Sequence, residues 1–236
     1  MKTQAVICDV YKTLLHVGPP PADPDERWRK LGLRFFQKAP EIGLQEFESA
    51  SLREIERLHM ESKGRGIAFP EIQWPRVLGK IIPEFENLRY GDKQDFALAQ
   101  QALRRHIALA PGAIACCRDL IQAGVPIGIA SNAQAYTWHE LENAIGEEGM
   151  GMDIFDQDLS LWSYQLGFSK PDPYFFQTLS ARLLAMGLEP SECLMVGDRL
   201  DNDILPARAI GMKTWRLHPE GDGDWFALRA ALTEPS

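Results

Sequence analysis

Positive charge is in short supply. The chain carries 25 Lys and Arg against 33 Asp and Glu, a formal net charge of −8 at pH 7. That balance argues against sequence-independent nucleic-acid binding, which needs a basic face to neutralise phosphates. Long apolar runs are missing too: none approaches the roughly 20 residues that cross a bilayer, so no membrane association is expected. Met1-Lys2-Thr3-Gln4 leads straight into a short strand-like run ending at Asp9. A secretory signal needs a longer apolar stretch and a small-residue cleavage site. The four cysteines, Cys8, Cys116, Cys117 and Cys193, form no CxxC pair and no metal-ligand spacing. They read as reduced, buried thiols of a cytoplasmic protein. Internal repeats and low-complexity tracts are absent. What remains is a globular chain of 236 residues, 45% apolar and 25% charged, long enough for one large domain or a core with a lid. Oligomeric state is not readable from these features.

Four near-continuous apolar segments stand out, at residues 4–10, 125–130, 193–196 and 213–217. Such runs suit strands buried on both faces, as in a parallel sheet covered by helices. Helix-like stretches at 111–123, 173–186 and 204–210 close on Gly124, Gly187 and Gly211, typical helix stops. The alternation predicts an α/β fold with a doubly wound, Rossmann-like parallel sheet. Residues 18–104 differ, with no comparable strand run. Pro19-Pro20-Pro21 is a stiff connector. Asp23 then offers an N-cap, with Pro24 at the first helical position and Glu26 three residues after the cap. Leu44, Phe47, Leu52, Ile55 and Leu58 fall on one helical face, as do Phe96, Ala99, Leu103 and Ile107, with loops expected at 64–66 and 70–75. We expect a helical cap, residues 18–104, inserted between core segments 1–17 and 105–236.

Ligands of open parallel sheets bind at the carboxyl ends of the strands. There the sequence places Asp9, then Ser131-Asn132, then Lys170-Pro171-Asp172-Pro173, then Gly197-Asp198 with Asp203 close behind. Carboxylates crowded at one edge repel unless a cation sits among them. A small hard ion such as Mg²⁺ accepts carboxylates, carbonyl oxygens, water and phosphate. A lysine and a hydroxyl suit the remaining phosphate oxygens, and a carboxylate beside a phosphoryl group can itself be the nucleophile. The parts suggest phosphoryl transfer through an aspartyl-phosphate.

Taken in order, Asp9-x-x-x-Thr13, Ser131-Asn132, Lys170-Pro171-Asp172-Pro173 and Gly197-Asp198-x-x-x-x-Asp203 resemble the four motifs of the haloacid dehalogenase-like hydrolase superfamily. The resemblance covers residues 4–17 and about 108–217, and implies that the insertion is that family's type 1 helical cap. It implies Asp9 as nucleophile and metal ligand, the Tyr11 backbone carbonyl as a second ligand and Asp198 as a third. It assigns Ser131, the Asn132 amide and Lys170 to the transferring phosphoryl. Asp203 would support water ligands or Lys170, and Thr13 the loop of the first motif.

One position departs from the pattern. Most phosphatases of this family carry a second Asp where this chain has Tyr11, and a phenol of reference pKa about 10 is a weak base at neutral pH. Tyr at that position resembles the metal-free 2-haloacid dehalogenases, whose leaving halide needs no proton. Those enzymes have Ser and Asn in place of Gly197-Asp198, and tend to have Tyr where this chain has Phe176. A Mg²⁺-dependent phosphatase acting on a small phosphorylated molecule is therefore the first reading, a metal-free dehalogenase the second, and a binding or regulatory protein without turnover the third. Lys12 either reaches the leaving group or points to solvent. Arg27, Arg29, Arg34 and Arg65 are candidates for an anionic substrate group, and Trp28 and Trp74 could face substrate. Linkers near 18–22 and 109–111 would permit lid motion.

Overall fold

The first apolar run buries both of its faces. Val6 and Cys8 enter one hydrophobic cluster and Ala5 and Ile7 another, as the period-two alternation of a strand requires. A computed structural model describes residues 2–233; Met1 and residues 234–236, at the outer ends of the expected core segments, lie outside the described residues. The first strands are β1 (Ala5–Cys8) and β2 (Leu15–Gly18). Four helices follow: α1 (Pro24–Phe36), α2 (Leu44–Gly64), α3 (Trp74–Ile81) and α4 (Tyr90–Gln101). The chain continues through β3 (His106–Leu109), α5 (Ala113–Gln122), β4 (Ile127–Ser131), α6 (Ala135–Gly146), β5 (Leu161–Trp162) and α7 (Ser163–Leu166). It ends in α8 (Pro173–Ala185), β6 (Cys193–Gly197), α9 (Leu205–Ala209), β7 (Lys213–Arg216) and α10 (Trp225–Thr233).

The main sheet has the order β5-β4-β1-β6-β7, with all its pairs parallel. The order reverses about β1, so the carboxyl ends of β1, β4 and β6 open on one crevice. Residues of α5, α6 and α10 pack on one face and of α8 and α9 on the other, which matches the doubly wound expectation. All four cysteines are free and buried. Among the described residues no helix is long and apolar enough to cross a membrane.

The helices α1 to α4 gather around a third cluster, rich in aromatics. Phe96 is its centre, with ring centroids 5.1 Å from Phe36, 5.4 Å from Phe35, 5.6 Å from Phe85 and 6.3 Å from Trp28. Several sequence expectations need correction here. Leu52 is 58% exposed, while Ser51 takes the inward place and donates to the Phe47 carbonyl at 2.8 Å. Ile107 belongs to β3 rather than to the Phe96 helix. Asp23 adopts φ 54° and makes no side-chain cap, while Glu26 pairs with Arg29 at 2.7 Å. Trp74 starts α3 inside the stretch expected as loop. The connectors at 18 and 109 are not free linkers either: β2 and β3 pair antiparallel, Leu15 opposite Leu109 and Gly18 opposite His106.

Phe96 fills the centre of the aromatic cluster, so Phe96→Ala should cost about 3–5 kcal/mol, the usual range for a large-to-small aromatic change. Urea unfolding followed by tryptophan emission would read this loss, since Trp28 and Trp74 lie in the same cluster.

Candidate active site

Asp9 leaves β1 with its amide bonded to the Val196 carbonyl at 2.9 Å, so the strand end is tied to β6 before the chain turns. The turn places Lys12 in the left-handed region, φ 59°, and brings Leu15 N to Val10 O at 2.8 Å. Thr13 is buried beneath, its hydroxyl 3.5 Å from Asp9 Oδ2. Lys170 reaches the same carboxylate from the segment between α7 and α8. Its Nζ donates to Asp9 Oδ1 at 2.8 Å, Asp203 Oδ1 at 2.6 Å and the Ala130 carbonyl at 2.6 Å. An ammonium has three donors, and here all three are used. Asn132 holds the lysine's main chain: its Oδ1 accepts from Lys170 N at 2.6 Å and its Nδ2 donates to Lys170 O at 2.8 Å. The Asn132 side chain is thus committed to positioning Lys170.

Asp203 arrives through a π-helical turn, Leu200–Ile204, and accepts from Arg199 N at 3.0 Å through Oδ2. Gly197 permits the approach, because a Cβ there would lie 2.4 Å from Asp203 Oδ2. Asp9, Asp198 and Asp203 present oxygens within 4.8 Å of one another. Ser131 Oγ is buried at the end of β4 and has no hydrogen-bond partner. Buried hydroxyls are rarely left so. Asp201 pairs with Arg199 at the surface, and Asp172 caps α8 by accepting from Tyr174 N at 2.9 Å.

The electrostatics show a surplus of negative charge. Burial first, with Asp203 and Asp198 adding to it, outweighs Lys170 and raises the Asp9 carboxyl from 3.8 to about 6. Burial and Asp203 raise Asp198 as well. Lys170 is pulled down by burial, but Asp9 and Asp203 outweigh this and raise it, so it stays charged. Asp9 and Asp203 pair with the ammonium and Asp198 stands beside them, an all-oxygen donor set that suits a hard divalent ion.

Tyr11 turns its side chain away from this cluster. Its phenol donates to Glu140 Oε2 at 2.5 Å, accepts from Arg105 Nη2 at 2.7 Å and lies 2.7 Å from the Thr137 hydroxyl. Arg105 stacks 4.4 Å over the Tyr11 ring and pairs with Glu140 at 2.8 Å. Burial, despite Arg105, lifts this phenol well above its ordinary pKa. A second network joins the helical segment to the core. Glu71 accepts from Gln134 Nε2 at 2.9 Å and from Ser163 Oγ, and Gln134 Oε1 accepts from Trp74 N at 2.9 Å. Sequence reading passed over Arg105, Glu140, Thr137 and Glu71. The only sequence signal was the Arg104-Arg105 pair just ahead of β3. The arginines it favoured lie elsewhere: Arg29 pairs with Glu26 and Arg65 with Glu61, Arg27 donates to Ala22 O, and Arg34 stacks on Phe35. Trp28 is buried in the aromatic cluster, whereas Trp74 also lines a cavity of about 560 Å³ beside Tyr11 and Asn132.

A family model described as haloacid dehalogenase-like hydrolase matches residues 3–211. The chain belongs to this family. Ribulose-1,5-bisphosphate 5-phosphatase of Halopiger xanaduensis is 34% identical over 132 residues, 55% of this chain and 52% of that protein. The chain spans about half or less of the length of the curated relatives it matches. Among solved structures, a phosphatase of the family from Thermococcus onnurineus covers 99% of this hydrolase and 98% of its own chain, with TM-score 0.56 and 22% identity. A dehalogenase crystallised as an intermediate complex covers 99% of both chains, with TM-score 0.55 and 16% identity. Likeness at these identities concerns the fold, which both activities share.

The raised Asp9 makes a prediction for the metal-free hydrolase. A carboxyl whose folded pKa lies above its unfolded value favours the protonated native state, so ionisation costs stability as pH rises from about 4 through about 6. Asn mimics the protonated form. Asp9→Asn should therefore gain stability relative to wild type over that window, in urea titrations at pH 4 and pH 7 with EDTA present. A gap that narrowed as pH rose would contradict the sign.

Proposed function

We propose that this hydrolase is a Mg²⁺-dependent phosphohydrolase that acts on a small phosphorylated molecule through an aspartyl-phosphate on Asp9. The observation that carries the reading is the cluster of Asp9, Asp198 and Asp203, two of them paired with one ammonium. An anionic substrate would meet net repulsion there, of ~4 kcal/mol for unit charges 4 Å apart at an effective dielectric near 20. Asp9, the Tyr11 backbone carbonyl and Asp198 would hold a divalent cation, which would remove that obstacle and offset charge on the transferring group.

The chain's own groups supply the rest. Ser131 Oγ and the Asn132 amide bind phosphoryl oxygens, and Lys170 holds Asp9 in place while offsetting charge. An Asp9 oxygen attacks phosphorus as the bond to the leaving oxygen breaks, and the departing alkoxide takes a proton from a water molecule in the crevice. A water then attacks the same phosphorus and gives its proton to the hydroxide left behind, the bond from phosphorus to Asp9 breaks, inorganic phosphate departs and the Asp9 carboxylate is restored. The Glu71 and Gln134 contacts hold the helical segment, residues 18–104, over the crevice as a lid that excludes bulk water.

A second reading, the metal-free dehalogenase, is favoured by Tyr11. Its proton is committed to Glu140, so it is poorly placed to protonate a leaving group, and halide needs no proton. The two readings part on chelation. Phosphate release from p-nitrophenyl phosphate should need Mg²⁺, stop with EDTA and vanish in Asp9→Asn. Halide release from chloroacetate that survives EDTA would select the second reading. A general acid is worth ~10²–10⁴-fold in rate, so Tyr11→Phe, which keeps the ring and loses only the committed hydroxyl, should lose less than about tenfold in kcat.

A further inference from the structure

The cavity beside Tyr11 and Asn132 has a charge unlike that of the whole chain. The molecule carries −8 overall, yet the formally charged side chains lining this space of about 560 Å³ are Arg104, Arg105 and a single carboxylate, Glu71. Glu71 is occupied by Ser163, Gln134 and the Ile72 amide. Arg105 is occupied too, held by both oxygens of Glu140 and by Tyr11. Arg104 is different. Among the described residues its one ion pair is with Glu48, at 3.5 Å, and the two side chains are 44% and 40% exposed. Exposed pairs of this kind are weakly held and screened by salt, so a better-placed anion can displace Glu48. A guanidinium also offers a planar fork that matches a carboxylate or phosphate in two parallel hydrogen bonds. The space is far larger than a phosphoryl group needs, and it adjoins the Asn132 end of the site, so it is where the rest of a substrate would sit.

We propose that Arg104 is a specificity-determining residue that binds a second anionic group, a carboxylate or another phosphate, on the part of the substrate that is not transferred. The inference rests on the phosphohydrolase reading for the group at Asp9, but the affinity for the second anion can be read without turnover. Tyr136 also lines the space and adds a phenol. His59, on α2, also lines the space and adds a ring nitrogen.

The test uses matched pairs: phosphorylated ω-hydroxy acids of two to five carbons, and the alkyl phosphates of the same lengths. Binding is measured by calorimetry on the full-length Asp9→Asn protein with Mg²⁺, with and without Arg104→Gln. Turnover of the same pairs is measured on the wild type, with p-nitrophenyl phosphate as the control. We expect at least one acid to bind more than tenfold tighter than its alkyl partner. Arg104→Gln should bring that ratio close to one, and Arg104→Lys should restore part of it. In turnover the same preference should appear in KM rather than kcat. Equal binding within every pair, or a preference that survives Arg104→Gln, overturns the inference and leaves the phosphohydrolase reading intact if p-nitrophenyl phosphate is still hydrolysed. Failure of every phosphate ester, the control included, defeats that reading instead, while the binding ratios still decide the role of Arg104.

Discussion

One buried ammonium governs the crevice. Lys170 is 3% exposed, and a charge that deep is tolerated only when paired and fully hydrogen-bonded. Its three bonds reach the loop after β1, the carboxyl end of β4 and the π-helical turn after β6. Three strand ends are thereby pinned to one nitrogen. The bonds also fix which oxygens remain free: Asp9 and Asp203 each give one oxygen to the lysine, and Asp203 gives the other to Arg199 N. Taking away the lysine would leave the carboxylates repelling one another at close range, whereas neutralising Asp9 would relieve part of the negative surplus and leave Asp203 to hold the ammonium. The constellation is cooperative for that reason, and it needs the parallel sheet beneath it to bring residues 9, 130, 170 and 203 together.

Tyr11 reorganises the next layer out. A phenol is too polar to be buried alone, and this one reaches α6 and settles between Glu140 and Thr137, with Arg105 above its ring. Aromatic stacking and charge-assisted hydrogen bonds act on the same side chain. The result joins the loop of the nucleophile to the segment that returns from the helical insertion. Any shift of that return segment is felt by the residue two positions from Asp9.

The parallel strands were legible because burial on both faces leaves near-continuous apolar runs, and the strand-end residues were legible because the four motifs keep their order. Other features had no such mark. The two residues of β5 are too short to show a period. The ribbon of β2 and β3 is only partly buried, with His16 and His106 exposed within it. Leu52 and Ser51 exchanged places because a polar residue can face a helix interface when its hydroxyl bonds the carbonyl four residues back. Asp23 took a left-handed conformation instead of a capping one. The contact between Arg105 and Tyr11 spans 94 positions in sequence, and no local pattern signals it. Pairings set by tertiary packing were hidden, while those set by strand period and motif spacing were visible.

The ribbon has a topological consequence. The strand that enters the helical segment and the strand that leaves it are hydrogen-bonded neighbours, with Gly18 facing His106 across the ladder. From the viewpoint of the parallel sheet, everything between those two residues occupies the place of a hairpin's turn. A chain that bridged Gly18 to His106 by a tight two-residue connection would keep the ladder and the sheet unbroken. The helical segment is in this sense an elaborated loop tip: it could grow, shrink or be exchanged without altering the register of a single core strand.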